Sequence, residues 1–425
     1  MWHFPTSAFS SQRFWDHMDR IEDHHILEIE QRLLLRIKER FGINPDLLLY
    51  DTTNFFTYLA TSNDRANLPQ RGHSKAKRHD LRQVGLALML SRDFQVPLLH
   101  HTYSGNIPDV KLFPQICEQL LARYRQITSD TPEATLVFDK GNVSEQAMEQ
   151  LTVHGIHFVA ALSANCMPEI LQVSTDQFHN IHTMPGTKAF CTVAPLWGKQ
   201  LQVVVSYTES FFAQQLSGIT QNMVKAQTRL SDLHRRLSKW HNGQARGKRP
   251  SVASVRREVN EILAPQFMST LFTVKIQNKD ALPTISYSVD HRALQELSRT
   301  RLGKTLLVTD HLRWTPEQVI GAYRTLSRIE DTFKKMKNVR FLRWQPAYHW
   351  TDQKLKVHAF YCVLALLLCS LAHKELRQAQ IDISLTAMLK ELCAIKQVAL
   401  LYPCLLYTSD AADDLLCVDL GGRRI

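Results

Sequence analysis

The sequence predicts a mixed α/β fold: a sheet entered by three strands, crossed by helices and interrupted by one long insertion. Three observations predict it. Short apolar runs at 47–50, 84–90 and 96–103 precede any crossover helix, and two more at 135–138 and 157–162 alternate with helical patterns. A charge-segregated stretch then separates these from a last strand at 304–308 and a helix at 315–337. The order of the first part is β-β-β-α-β-α-β, which a mixed sheet with crossover helices satisfies.

Residues 12–41 read as helix because Phe14, Ile21, Ile26, Ile29, Leu33, Leu34 and Ile37 recur at helical spacing among charged residues. Pro45 stops that helix before the buried strand 47–50. A basic loop follows and ends in Arg71-Gly72-His73-Ser74-Lys75-Ala76-Lys77-Arg78-His79-Asp80. Ser91-Arg92-Asp93-Phe94 joins the next two strands, a connection short enough for an antiparallel pair. Ser104-Gly105-Asn106 breaks the third strand. Helix 109–126 then begins with Asp109 near its start, where a carboxylate suits the dipole. Helix 143–153 separates the strands at 135–138 and 157–162.

Beyond about residue 170 the pattern changes. Val203-Val204-Val205 and Leu271-Phe272-Thr273-Val274 read as strands flanking a long polar helical stretch, and residues 222–257 hold ten Lys or Arg against one acid, Asp232. Pro316 sits in the first turn of the helix 315–337, where its missing N–H costs nothing. An apolar helix at 353–374 and an amphipathic one at 384–396 complete the reading. The predicted parts are a helical N-terminal remnant at 1–46, the first part of the core at 47–170, a basic insertion at 171–303, the completion of the core with C-terminal helices at 304–403, and a tail at 404–425. The tail continues no pattern and resembles translated adapter sequence, so it is expected to be non-native.

Composition narrows the partners. The formal net charge of +11 points to an anionic polymer. Eight cysteines with no CxxC pair argue against a four-cysteine zinc site or a disulfide scaffold, and fit a reducing compartment. The start of the chain lacks the basic and apolar regions of a signal peptide. The most apolar segment, 359–369, is about half the length a bilayer crossing needs. A buried helix and no membrane are therefore expected.

Three carboxylates carry the functional reading. Asp51 follows Leu47-Leu48-Leu49-Tyr50, and Asp139 follows Thr135-Leu136-Val137-Phe138. Glu330 lies in Tyr323-Arg324-Thr325-Leu326-Ser327-Arg328-Ile329-Glu330-Asp331-Thr332-Phe333-Lys334-Lys335-Met336-Lys337. On one helix Tyr323, Glu330 and Lys337 would be two turns apart each and share a face. A phenol, a carboxylate and an ammonium on one stripe can bind a metal and grip phosphate oxygens. Three acids so placed in a basic protein point to metal-dependent phosphodiester chemistry on DNA. Each also has an ordinary reading: a turn or cap residue for Asp51 or Asp139, and a solvated, charge-paired face for the helix.

The chain resembles the DDE transposases of insertion sequences, in the branch with a large insertion before the Glu (insertion sequence family four and its relatives). The branch signature is Tyr, two residues, Arg, three residues, Glu, six residues, Lys. Tyr323, Glu330 and Lys337 match it, and Leu326 stands at the Arg position between Arg324 and Arg328. Tyr50-Asp51-Thr52-Thr53, Gly105-Asn106-Ile107-Pro108-Asp109, Phe138-Asp139-Lys140-Gly141 and Tyr348-His349-Trp350-Thr351 also share the look of related subgroups. The likeness runs from about residue 12 to 375.

The resemblance implies a ribonuclease-H-like fold in which strands one and four are neighbours and Asp51 and Asp139 face one cleft. It implies Asp51, Asp139 and Glu330 as ligands of two Mg²⁺ ions, or Mn²⁺ in their place. Tyr323 and Lys337 become phosphate contacts, with Arg324 or Arg328 supplying a guanidinium. Cleavage at element ends, strand transfer, double-stranded DNA as partner, a dimer in the DNA complex and a bacterial cytoplasm follow from the same resemblance. Members usually carry a further N-terminal helical region, so a fragment shortened at both ends is expected.

Arg71, Lys75, Lys77 and Arg78 of the basic loop, and the stretch 222–257, are expected to neutralise DNA backbone; the alternative is solvated basic surface. Trp240, Trp314 and Trp350 are candidates for stacking on an unpaired base or for the core. Gly303-Lys304-Thr305 mimics the end of a phosphate-binding loop, but the earlier Gly would fall at Ser298 and no helix follows directly. The histidines, His100-His101 included, lack a metal-ligand spacing. Two rival functions stand beside the transposase: a truncated DNA-binding remnant unable to cut, and a nuclease of the same fold.

Overall fold

The computed structural model describes residues 10–43, 46–73, 78–127, 134–279, 282–338, 341–342, 344–345, 347–395, 397–399 and 418–420. Most of the suspected tail, and Lys75 and Lys77, lie outside them. In chain order the elements are α1 (Ser11–Asp19), α2 (Asp23–Phe41), β1 (Leu47–Thr57), β2 (Arg82–Ser91), β3 (Pro97–Ser104), α3 (Asp109–Ile127), β4 (Thr135–Phe138), α4 (Glu145–Val153) and β5 (His157–Ala161). There follow α5 (Pro168–Leu171), β6 (His179–Asn180), β7 (Thr187–Leu196), β8 (Lys199–Thr208), α6 (Glu209–His241), α7 (Val252–Ile262), α8 (Met268–Leu271), β9 (Phe272–Lys279), β10 (Leu282–Val289) and α9 (His291–Thr300). The chain continues through β11 (Lys304–Thr309), α10 (Pro316–Arg324), α11 (Ser327–Lys337), α12 (Asp352–Gln378) and α13 (Leu385–Ala394). The fold is mixed α/β as anticipated, with the β-β-β-α-β-α-β order intact.

Two compact units divide the chain: Met1–Leu136 with Gln146–Ile156 and Thr325–Ile425, and Val137–Glu145 with His157–Arg324. In the first, β1 pairs antiparallel with β2 and β2 with β3, placing Asp51 opposite Leu88 and Leu88 opposite His100. Nearly every residue of β2 is buried, which explains a continuous apolar run where an exposed strand would alternate. The Thr135 N–H donates to the Asp46 carbonyl at 2.9 Å, setting the start of β4 beside the entry to β1. Glu30 of α2 accepts from His100 of β3 and Arg123 of α3, a buried ionic knot joining three elements. Val357 and Phe360 of α12 pack with Met18 and Ile26. By length and composition α12 could cross a membrane, but 56% of its apolar window is buried within the protein.

One expected helix is two. Ser10 caps α1 by accepting from the Arg13 N–H, and the Glu22 N–H donates to His25 Nδ1 at 3.1 Å to start α2 afresh. Hydrophobic periodicity runs through the break and hides it.

In the second unit β5 pairs antiparallel with β11, β11 with β8, β8 with β7 and β7 with β6. The stretch expected as a separate insertion therefore begins as sheet, because Val203, Val204 and Val205 pair with β11. A core of its own starts later. Leu230, Leu233, Met268, Leu271 and Phe272 are buried together, uniting α6, α8 and β9.

Candidate active site

Asp51 sits inside β1 rather than at its end, since the strand runs on through Asp51 to Thr57. Its Oδ1 accepts from the Thr52 N–H at 2.7 Å, and the side chain is half-buried. Strand alternation puts Asp51, Thr53 and Phe55 on one face of β1. α11 lies on that face: Lys337 Nζ donates to Thr53 Oγ1 at 2.7 Å and stands 5.3 Å from the Phe55 ring centre. Trp344 stacks flat on the same ring at 3.9 Å and is fully buried. Glu330 is exposed on α11, two turns before Lys337 and on the same stripe. The first unit thus brings Asp51, Thr53 and Lys337 to one face of β1 and the helix covering it, with Glu330 on that helix.

The expected single helix 315–337 is a correction. It is broken at Thr325-Leu326 into α10 and α11, so Tyr323 and Glu330 do not share one continuous stripe. The break closes with short-range bonds, Arg328 N–H to Thr325 O at 2.9 Å and Ile329 N–H to Leu326 O at 3.1 Å. Leu326 itself is buried, which accounts for an apolar residue at the signature's Arg position. Arg324 donates instead to Thr187 Oγ1 at 2.7 Å, and Arg328 to the Arg92 carbonyl at 2.8 Å.

Asp139, in the second unit, follows β4 as the extended residue before a single turn of 3₁₀ helix, Lys140–Asn142. The Tyr323 hydroxyl of α10 donates to its Oδ1 at 2.9 Å. Both line a cleft of about 810 Å³ that lies entirely within this unit, with Lys140, Asn165, Gln215 and Arg301 around it. Lys304 also borders the cleft, but its ammonium is held by the Leu171 and Val173 carbonyls and burial lowers its pKa. Gly303-Lys304-Thr305 therefore uses its Lys to fasten β11, not to hold phosphate.

The basic loop is anchored by glycine. A Cβ on Gly72 would lie 2.3 Å from the Gly105 carbonyl, and one on Gly105 would lie 1.9 Å from the Gln83 carbonyl, so neither position admits a side chain. Gly105 begins the motif that resemblance singled out, and this close approach is what it does. Arg71 donates to Thr61 Oγ1 at 3.2 Å. Arg78 forks onto Asp80 at 3.0 and 2.9 Å, which holds the Asp80 carboxyl down at about 2 and offsets the charge of Arg78. The stretch 222–257 covers much of α6, the connection 242–251 and the start of α7; Arg236 pairs with Glu258 and Arg257 with Glu261 at 4.0 Å, while Arg229 faces solvent. Among the tryptophans, Trp314 is stacked on His311 at 3.9 Å and Trp350 is exposed with its edge toward Trp15.

Thr53 stands in the Tyr50-Asp51-Thr52-Thr53 motif, but its contact with Lys337 was not legible there, and Arg301 carries no motif. Sequence reasoning also missed a cluster of His157, Asp310 and His311, residues joined only by the antiparallel register of β5 and β11.

A family profile described as transposase DDE domain matches residues 45–368. No curated protein matches the chain. Among solved structures, a piggyBac transposase synaptic complex with hairpin DNA aligns over 99% of this chain and 70% of that one, at 12% identity and a TM-score of 0.41. A Mos1 mariner paired-end complex with Mn aligns over 32% of this chain and 43% of that one, at 12% identity and a TM-score of 0.19. The profile spans about three quarters of the sequence, and the chain belongs to the transposase DDE domain family.

Proposed function

We propose that this chain is a metal-dependent DNA transposase of the insertion-sequence branch, with Asp51, Asp139 and Glu330 as its metal-binding carboxylates. One observation supports the reading above others: the hydrogen bond from Tyr323 to Asp139, two signature residues 184 positions apart. An all-carboxylate donor set suits hard cations such as Mg²⁺ or Mn²⁺. Bound there, such ions supply Lewis acidity toward the phosphodiester and the attacking and leaving oxygens.

The chain's own residues do the rest. Tyr323 fixes Asp139 through one carboxylate oxygen. Lys337, held at Thr53 on the Asp51 face of β1, offers an ammonium to a phosphate oxygen, which would replace the Thr53 hydroxyl as its partner. Arg71, Arg324 and Arg328, with Lys75, Lys77 and Arg78, supply charge for DNA backbone. The reaction is in-line displacement twice over. Water first forms a P–O bond as the P–O3′ bond at the element's end breaks, leaving a 3′-OH. That hydroxyl then forms a new P–O bond in double-stranded target DNA as the target's own P–O3′ bond breaks, with no covalent enzyme intermediate. The family resemblance implies at least two copies of the chain in the DNA complex, one to each end.

The test is incubation of the chain with Mg²⁺ and a duplex carrying the genomic sequences that flank its reading frame. Nicking and strand joining are expected, both lost in Asp51→Asn, Asp139→Asn and Glu330→Gln. Equal nicking by all three variants overturns the ligand assignment. Nicking without joining makes the protein a nuclease of the same fold.

A further inference from the structure

We infer that His157, Asp310 and His311 form a second metal site, one for a transition-metal cation of the Zn²⁺ class, separate from any carboxylate-held Mg²⁺. The site is assembled by strand register. Thr309 pairs with Val159 across β11 and β5, so the two residues that follow β11 arrive beside the residue that opens β5. One ligand atom from each of the three side chains lies within 4.8 Å of the others. All three are half-buried, within reach of an ion and of a water molecule.

The backbone and neighbours fix each side chain. Asp310 Oδ1 accepts from the Phe158 N–H at 2.9 Å, and Oδ2 meets His157 Nδ1 at 2.8 Å. The Thr309 hydroxyl donates to the Phe158 carbonyl at 2.6 Å and accepts from the His311 N–H at 3.1 Å. The His311 ring lies flat on Trp314, with centroids 3.9 Å apart and planes 3° apart. Gln202 Nε2 in turn donates to the Trp314 carbonyl at 2.8 Å. Ligands held by packing and hydrogen bonds are the usual support of a metal centre.

The donor chemistry selects the ion. Two imidazoles and a carboxylate suit Zn²⁺, Co²⁺ or Ni²⁺, with water completing a tetrahedral set. Location sets the role. The cleft that holds Asp139 is bordered by Ala161, which ends β5, and by Lys304, which begins β11. His157 and Asp310 are at the other ends of those two strands, about 14–20 Å away at the usual rise per residue. The ion is therefore a clip on the β5–β11 pair, not a reactant, and the inference stands whether or not the transposase reading holds.

The test is a calorimetric titration of the chelator-stripped full chain with Zn²⁺, repeated with Co²⁺ as a spectroscopic probe. Expected are one Zn²⁺ bound per chain, a Co²⁺ visible band of tetrahedral intensity, and a Zn²⁺-dependent rise in the urea midpoint. His157→Gln, His311→Gln and Asp310→Asn should lose all three, while Asp139→Asn keeps them. Asp310→Asn retains an acceptor for the Phe158 N–H, so its fold is preserved. A parent that binds no Zn²⁺, or variants that bind as much as the parent, overturns the site.

Discussion

Changing Tyr323 to Phe removes one hydroxyl and leaves the ring in place. That hydroxyl donates to Asp139 Oδ1 at 2.9 Å, and the side chain is half-buried in the cleft. A hydrogen bond to a charged acceptor is worth about 1.5–3 kcal/mol, and partial solvation favours the lower end. About 1.5–2 kcal/mol corresponds to roughly a ten- to thirtyfold effect on rate or apparent metal affinity. The bond positions a proposed ligand, so the loss should appear as a higher Mg²⁺ requirement for DNA nicking and shrink as metal is raised. Stability should barely change, because α10 stays anchored by buried Val319 and Ile320. Nicking against Mg²⁺ concentration, with urea midpoints as control, reads both quantities. A Phe variant with the parent's rate and metal requirement would refute the positioning role.

Further outcomes follow from other contacts. Glu30→Ala strands the His100 and Arg123 groups it now pairs, and breaking a buried ionic cluster costs about 3–5 kcal/mol, readable in urea unfolding. Burial pushes the His101 imidazole from 6.5 down to about 4, and burial with the nearby His358 does the same to His349. The folded state holds these rings neutral, so their contribution to stability is complete above pH 6.5 and lost as pH falls toward 4; His101→Asn should flatten that part of the urea-midpoint profile. DNA affinity should fall steeply with salt, and reversing Arg229, Arg256 and Arg257 should reduce the slope by up to about one unit per lost phosphate contact. An unchanged slope would remove α6 and α7 from the DNA surface.

Local chemistry made much of the fold legible. The strands opening at Leu47, Arg82 and Thr135 were visible because buried strands are runs of apolar residues, and Pro316 marked a helix start. What periodicity cannot register is a break that keeps its phase, and so α1 and α2 read as one helix, as did α10 and α11. The pairing of β8 with β11 was equally hidden, because Val203 and Val308 meet only through a register set far along the chain. For the candidate site, the positions of Asp51, Asp139 and Glu330 came from motif and resemblance, whereas the hydrogen bond from Tyr323 to Asp139 did not. Thr53 receives Lys337 through the packing of α11 on β1, and no spacing rule encodes that contact. The same reason hid His157, Asp310 and His311, whose ligand spacing exists only in the folded sheet.

The central claim is that Asp51, Asp139 and Glu330 hold the catalytic cations. Crystals of the chain with its DNA ends, grown in Mn²⁺ and measured at the manganese edge, address it most directly. Anomalous peaks should lie against these three carboxylates and vanish in Asp139→Asn. Peaks on other carboxylates, with these three bare, would contradict the account.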